Sequence, residues 1–230
     1  MVSRVVAAAF ICLLWALSPI LSVFSGPVPI GFADALNFSS ASSEPADMII
    51  KLRLARAFAA LACGGGLGAA GAVLQGVLRN PLADPFTMGI AQGAACGASA
   101  AIAAGASLSA LSGLPHAPLI AALSFAGAIL ALLLALTLGG GRDPFPRENI
   151  ILAGVAVATF MSALVALIKA LNEESVASIV FWLMGSLRDR GWNSLPFLLC
   201  CETPCLALIA LNWRKLDILS LGGDQAARLG

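Results

Sequence analysis

The residues able to do chemistry in this 230-residue chain are few and scattered. Glu202 stands in the middle of LLCCETPCLAL, where an ionised carboxylate in hydrocarbon is costly and by default points to a substrate or proton role. Pro204 offers a plainer reading, because it frees backbone groups that a protonated Glu202 can satisfy; the structural role is the one expected. The six cysteines (Cys12, Cys63, Cys96, Cys200, Cys201, Cys205) form no CxxC pair or Cys/His cluster, so they read as small buried apolar residues. Cys201 and Cys205 share a helix face, but two thiols without a further ligand make no metal site. His116, the single histidine, sits in a Pro-His-Ala-Pro loop and reads as solvated. Gly66, Gly68 and Gly71 match G-x-G-x-x-G, yet the context is helical and membranous, and Ala91 stands where the ribose-binding acid belongs. No G-x-x-x-x-G-K-[ST] occurs, so any ATP hydrolysis that drives the chain belongs to another subunit. Catalytic, metal and cofactor roles therefore find no residues to carry them.

The elements that position these residues are set by composition. With 60% hydrophobic residues, 11% charged and a mean hydropathy of +0.95, the chain is a membrane protein. Thirteen Lys and Arg against twelve Asp and Glu give +1, with no basic run, which excludes nucleic acid and leaves lipid as the bulk partner. An all-α polytopic bundle follows, since backbone groups in lipid must bond within their own segment. Six stretches are long and apolar enough: about 5–24, 55–75, 86–108, 117–138, 149–170 and 194–213. The first is too long for a signal-peptide core and has no clear cleavage site, so it reads as a retained span. Between them lie a loop at 25–50, a breaker-rich turn at 139–148 and a connection at 171–193 whose apolar piece SIVFWLMGSL is too short to cross and reads as a short extramembrane helix, lying at the surface or re-entering.

Charge leaves the orientation open. With the termini inside, Arg4, Arg79, Arg142, Arg147, Arg214, Lys215 and Arg228 face Lys51, Arg53, Arg56, Lys169, Arg188 and Arg190 outside, a near-even split under the positive-inside rule. The outside set clusters in KLRLAR (51–56) and asks for a reason.

One interruption of the apolar pattern stands out: LQGVLRNPLADPFTMG places Arg79, Asn80, Pro81, Asp84 and Pro85 within seven residues. Asn80 before Pro81 and Asp84 before Pro85 are both cap-and-first-turn pairs, so the stretch predicts a tight polar turn, with the second pair opening the third span. On either side, Gly64 and Gly68, and Gly89, Gly93 and Gly97, recur every fourth residue and predict close helix packing in both flanking spans.

Taken in order, KLRLAR (51–56), GAVLQGVLRNPLADPFTMGIAQGA (71–94), ILAGVAVATFMSALVALI (151–168), SIVFWLMGSL (178–187) and LDILSLGGDQAARLG (216–230) resemble the permease family of ABC importers for iron-siderophores, haem and cobalamin. The resemblance runs through nearly the whole chain. It implies a single permease domain over 1–230 in the bacterial inner membrane, with a cytoplasmic amino terminus, periplasmic loops at 25–50 and 171–193, and a cytoplasmic coupling segment at 214–230. RNPLADP would lie on the cytoplasmic side. Arg53 and Arg56 would dock a periplasmic or lipid-anchored substrate-binding protein, a role that suits the bidentate guanidinium. Leu221, Gly222, Gly223, Asp224, Gln225, Ala226 and Arg228 would couple to cytoplasmic ABC ATPase subunits, and a second permease copy would complete a dimer.

Three departures qualify the resemblance. Ala55 replaces the usual proline between the two arginines, and Gly223-Asp224 replaces the usual acidic pair. Family members have ten spans against six here, so the chain is expected to be an incomplete piece that does not transport by itself. The competing readings are a proton- or ion-coupled secondary carrier, as one half of a twelve-span fold or as one protomer, and a non-transporting truncated scaffold; a carrier calls for paired ionisable residues near the midplane, and Glu202 is the one candidate.

Overall fold

A computed structural model of the chain describes residues 2–39, 44–113, 115–140, 147–188 and 190–221. Every regular element among them is helical: α1 (Val2–Phe24), α2 (Phe32–Leu36), α3 (Pro45–Leu78), α4 (Ile90–Ser112), α5 (His116–Gly139), α6 (Arg147–Leu171), α7 (Val176–Met184), α8 (Leu195–Leu211) and α9 (Trp213–Leu221), with a 3-10 turn at Glu173–Ser175. The chain is thus an all-α multi-pass membrane protein. Among the described residues α1 from Val5, α3, α5 and α6 are each long and apolar enough to cross a bilayer, and α8 with α9 qualifies as a pair.

Two expected spans are built differently. Hydropathy predicts the third over 86–108, but the backbone turns from Pro85 to Gly89, α4 starts at Ile90, and non-helical angles at Gly105 (φ 39°, ψ −120°) interrupt it. The apolar part, Ile90–Gly105, is shorter than a full span. The sixth is expected over 194–213, but α8 stops at Leu211 and the chain resumes as α9 after Asn212. The second span is longer than expected: α3 begins at Pro45, with proline in the first turn and Asp47 beside the positive helix end. Its 34 residues rise about 51 Å, well past a ~30 Å hydrocarbon core, so KLRLAR lies on helix and not in the loop before it.

The chain divides into two compact units, 1–69 with 186–211 and 70–185 with 212–230. In the first, Val23, Ile30 and Ile50 form a small core with Phe38, Ile49 and Leu54, and Phe24 stacks on Phe32 at 6.3 Å. A second core joins α3 to α8 through Ala55, Ala59 and Leu195.

In the second unit α4 and α5 meet backbone to backbone. A methyl group added at Gly93 would strike the Gly127 carbonyl, and one at Gly97 would strike the Leu123 carbonyl. Ala131 and Ala135 of α5, both fully buried, then pack with Val157 and Met161 of α6, with Cys96 of α4 against them. At the other end of the α5–α6 pair, a methyl at Gly139 would come within 2.5 Å of the Ile150 Cα. The glycines expected to play the same part in α3 do not: nothing described lies within 4 Å of a methyl added at Gly64 or Gly68.

Candidate functional site

In KLRLAR the two arginines have separate jobs. Arg53 is 8% exposed, and its two terminal nitrogens donate to the carbonyls of Val23 (2.6 Å) and Val28 (2.5 Å). Val23 lies in the last turn of α1, whose carbonyls lack partners within the helix, so Arg53 fastens the end of α1 and the following loop to α3. Its fork is occupied by the fold. Arg56 is partly buried, donates to the Arg188 carbonyl at 2.7 Å, and lines a cavity of about 470 Å³ with Trp15, Ser18, Ser22 and Leu187. The structure therefore does not bring the two guanidinium groups onto one partner. Trp192 adds a tie the sequence gave no sign of: its indole donates to the Lys51 carbonyl at 3.0 Å while its ring lies 5.9 Å from Phe58. In a regular helix the amide of residue 55 is directed at that same carbonyl, and an alanine at 55 keeps the N–H that a proline would lack.

The RNPLADP turn is built by its side chains. Arg79, directly after the last residue of α3, has φ 51°. The Asn80 side-chain oxygen accepts from the Leu82 amide (2.9 Å), and its carbonyl accepts from Ala83 (3.0 Å), closing a compact Asx-type turn around Pro81. Asp84 and Thr87 bond reciprocally: the carboxylate accepts from the Thr87 amide (2.7 Å) and the Thr87 hydroxyl accepts from the Asp84 amide (3.1 Å). This capped turn through Pro85 replaces the expected helix start, and Gly89, at φ 75°, then redirects the chain into α4. Met88, 2% exposed, anchors the turn in a core with Leu78, Ala83, Leu132 and Ile150.

The turn also reaches the carboxyl-terminal segment. Arg79 Nε donates to the Ser220 carbonyl at 2.8 Å, and Arg147, the first residue of α6, donates to the Leu219 carbonyl at 3.4 Å. Leu221, 52% exposed, closes α9. Gly222, Gly223, Asp224, Gln225, Ala226 and Arg228 lie outside the described residues.

The remaining chemical candidates fall elsewhere. Glu202 turns toward α3, where a methyl at Gly66 would come within 2.6 Å of its Oε1; its Oε2 is buried without a hydrogen-bond partner among the described residues. The expected bond to backbone freed by Pro204 is not formed. His116 is exposed, as the first residue of α5. The cysteines are free, and Cys12, Cys200, Cys201 and Cys205 are exposed, not buried: no described residue covers the helix faces on which they lie.

Residues 13–230 match the model of the FecCD transport family. The chain belongs to this family. Relatives include the ferric enterobactin transport system permease protein FepD of Escherichia coli, 37% identical over all of this chain and 67% of its own length. An ABC transporter permease protein of Bacillus subtilis, YvrB, is 33% identical over 94% of this chain and 63% of its own. A solved metal-chelate type ABC transporter in an inward-facing conformation superposes with a TM-score of 0.74 at 30% identity, covering 95% of this chain and 64% of that one. The chain spans about two-thirds of the length of these FecCD relatives. Membership accords with the motifs quoted above, whereas Arg147, Trp192 and Gly154 enter only through contacts between distant segments.

Proposed function

We propose that the chain is the membrane-spanning part of an ATP-binding-cassette importer for a metal-chelate or tetrapyrrole substrate of the iron-siderophore, haem or cobalamin kind. ATP hydrolysis belongs to a separate cytoplasmic subunit. The observation that carries the reading is the family match over 13–230, joined by relatives whose names are those of ABC transporter and ferric-siderophore transport system permeases. The amino terminus and the RNPLADP turn face the cytoplasm, and the amino-terminal end of α3 faces the periplasm. Segment 214–230, with α9 and the residues from Gly222 to Arg228, receives the ATPase. A second permease copy completes the path.

For binding-protein docking the two arginines divide the work. Arg56, partly buried and lining an open cavity, meets a carboxylate of the binding protein, while Arg53 holds the end of α1 in place beneath it. The test is reconstitution of the full gene product in liposomes with its ATPase and candidate binding proteins, read as ATP-dependent uptake of a ferric siderophore, haem or cobalamin. Uptake that requires ATP and a binding protein, and that falls about tenfold with Arg56→Glu, supports the reading. Uptake driven by a proton or ion gradient without ATP overturns it in favour of a secondary carrier.

A further inference from the structure

Arg79 is the one non-glycine residue with a positive φ among those described. It directly follows Leu78, the last residue of α3, where a helix ending in the left-handed conformation takes glycine or asparagine, since a Cβ there crowds the backbone. Glycine would make the same turn without strain, so the arginine side chain must contribute something the turn itself does not need. What it contributes is the bond from Nε to the Ser220 carbonyl, 2.8 Å long and 141 residues away in sequence. Arg147 makes a parallel contact to the Leu219 carbonyl at 3.4 Å.

Both acceptors lie in the last turn of α9, which has no basic residue of its own there. Cations at that end of a helix bind its outward-pointing carbonyls and oppose its dipole. Here they are supplied by two other elements, the α3–α4 turn and the head of α6. These two are themselves locked together, because the Thr87 carbonyl lies where a methyl on Gly154 of α6 would approach within 2.6 Å. A path of direct contacts therefore runs from α9 through two guanidinium groups into the turn and α6.

We propose that Arg79 is a positioning residue for energy coupling: with Arg147 it grips the last turn of α9, so that displacement of α9 by a partner subunit is delivered to the RNPLADP turn and to α6. The role rests on the importer reading above; the grip does not. Lysine would keep the charge but lose the rigid planar donor, and glycine would keep the turn but lose both.

The experiment uses the full gene product in nanodiscs and liposomes with its ATPase and binding protein, comparing Arg79→Gly, Arg79→Lys, Arg147→Gln and the Arg79→Gly/Arg147→Gln pair. Arg79→Gly is expected to keep yield and melting temperature. Amide exchange in residues 213–221 should quicken about tenfold, and more in the pair, with other segments unchanged. Substrate moved per ATP hydrolysed should fall about fivefold while ATPase turnover stays within about twofold, with partial rescue by lysine. Unchanged exchange at 213–221 in the pair, or quicker exchange with an unchanged transport ratio, overturns the proposal. If the unmodified protein captures no ATPase, the importer reading and the coupling role fall together, and the exchange arm alone decides whether the two arginines grip α9.

Discussion

Two rows of glycine at the same four-residue spacing meet different surroundings. In α4, Gly93 and Gly97 lie directly against backbone carbonyls of α5, closer than any side chain allows. In α3, Gly64 and Gly68 face open space among the described residues, and the nearby Gly66 faces only a carboxylate, that of Glu202. Small-xxx-small spacing permits close approach, but it contains no partner. The partner comes from chain connection where a short loop supplies one: α5 follows α4 and returns beside it, whereas among the described residues nothing packs against Gly64 or Gly68.

A graded set of alanine substitutions would break or sharpen this contrast, each read as the change in unfolding free energy of the purified chain in mixed micelles. Gly97→Ala carries the largest expected loss, about 3 kcal/mol, because its new methyl meets the Leu123 carbonyl and the two helices must separate. Gly154→Ala should lose about 2 kcal/mol: its methyl meets the Thr87 carbonyl at 2.6 Å, and the turn can lift by less disruption than a helix pair can part. At Gly66 the obstacle is the tip of the Glu202 side chain, which can swing aside, so alanine is expected to lose less than about 1 kcal/mol. Gly68→Ala meets nothing and should gain up to about 1 kcal/mol from the better helix former. A loss at Gly68 equal to that at Gly97 would show that the α3 row is covered after all.

The arginines teach a related lesson about what sequence carries. Hydropathy and turn chemistry located the polar turn at Arg79 to Pro85 and the short helix within SIVFWLMGSL, because both are local. They misplaced the start of α4, since an apolar window does not register the positive φ of Gly89, and they merged α8 with the first residues of α9, since such a window does not register a one-residue break at Asn212 either. KLRLAR read as two equivalent cations. Which of them is consumed by the end of α1 depends on a loop folding back some thirty residues away, and nothing in the hexapeptide encodes that. The bond from Arg79 to Ser220 is farther still, and its single local trace is an arginine where a left-handed helix end calls for glycine.

The central claim is that α9 and the segment after it meet a separate ATP-hydrolysing subunit. The most direct measurement places a photo-crosslinking amino acid at Leu221, exposed at the end of α9, and irradiates membranes containing the complete transporter. The expected result is an adduct with the ATPase subunit that changes in yield between nucleotide-free and ATP-bound states. An adduct-free permease, together with labelling of position 221 by a membrane-impermeant reagent added from outside the cell, would contradict it.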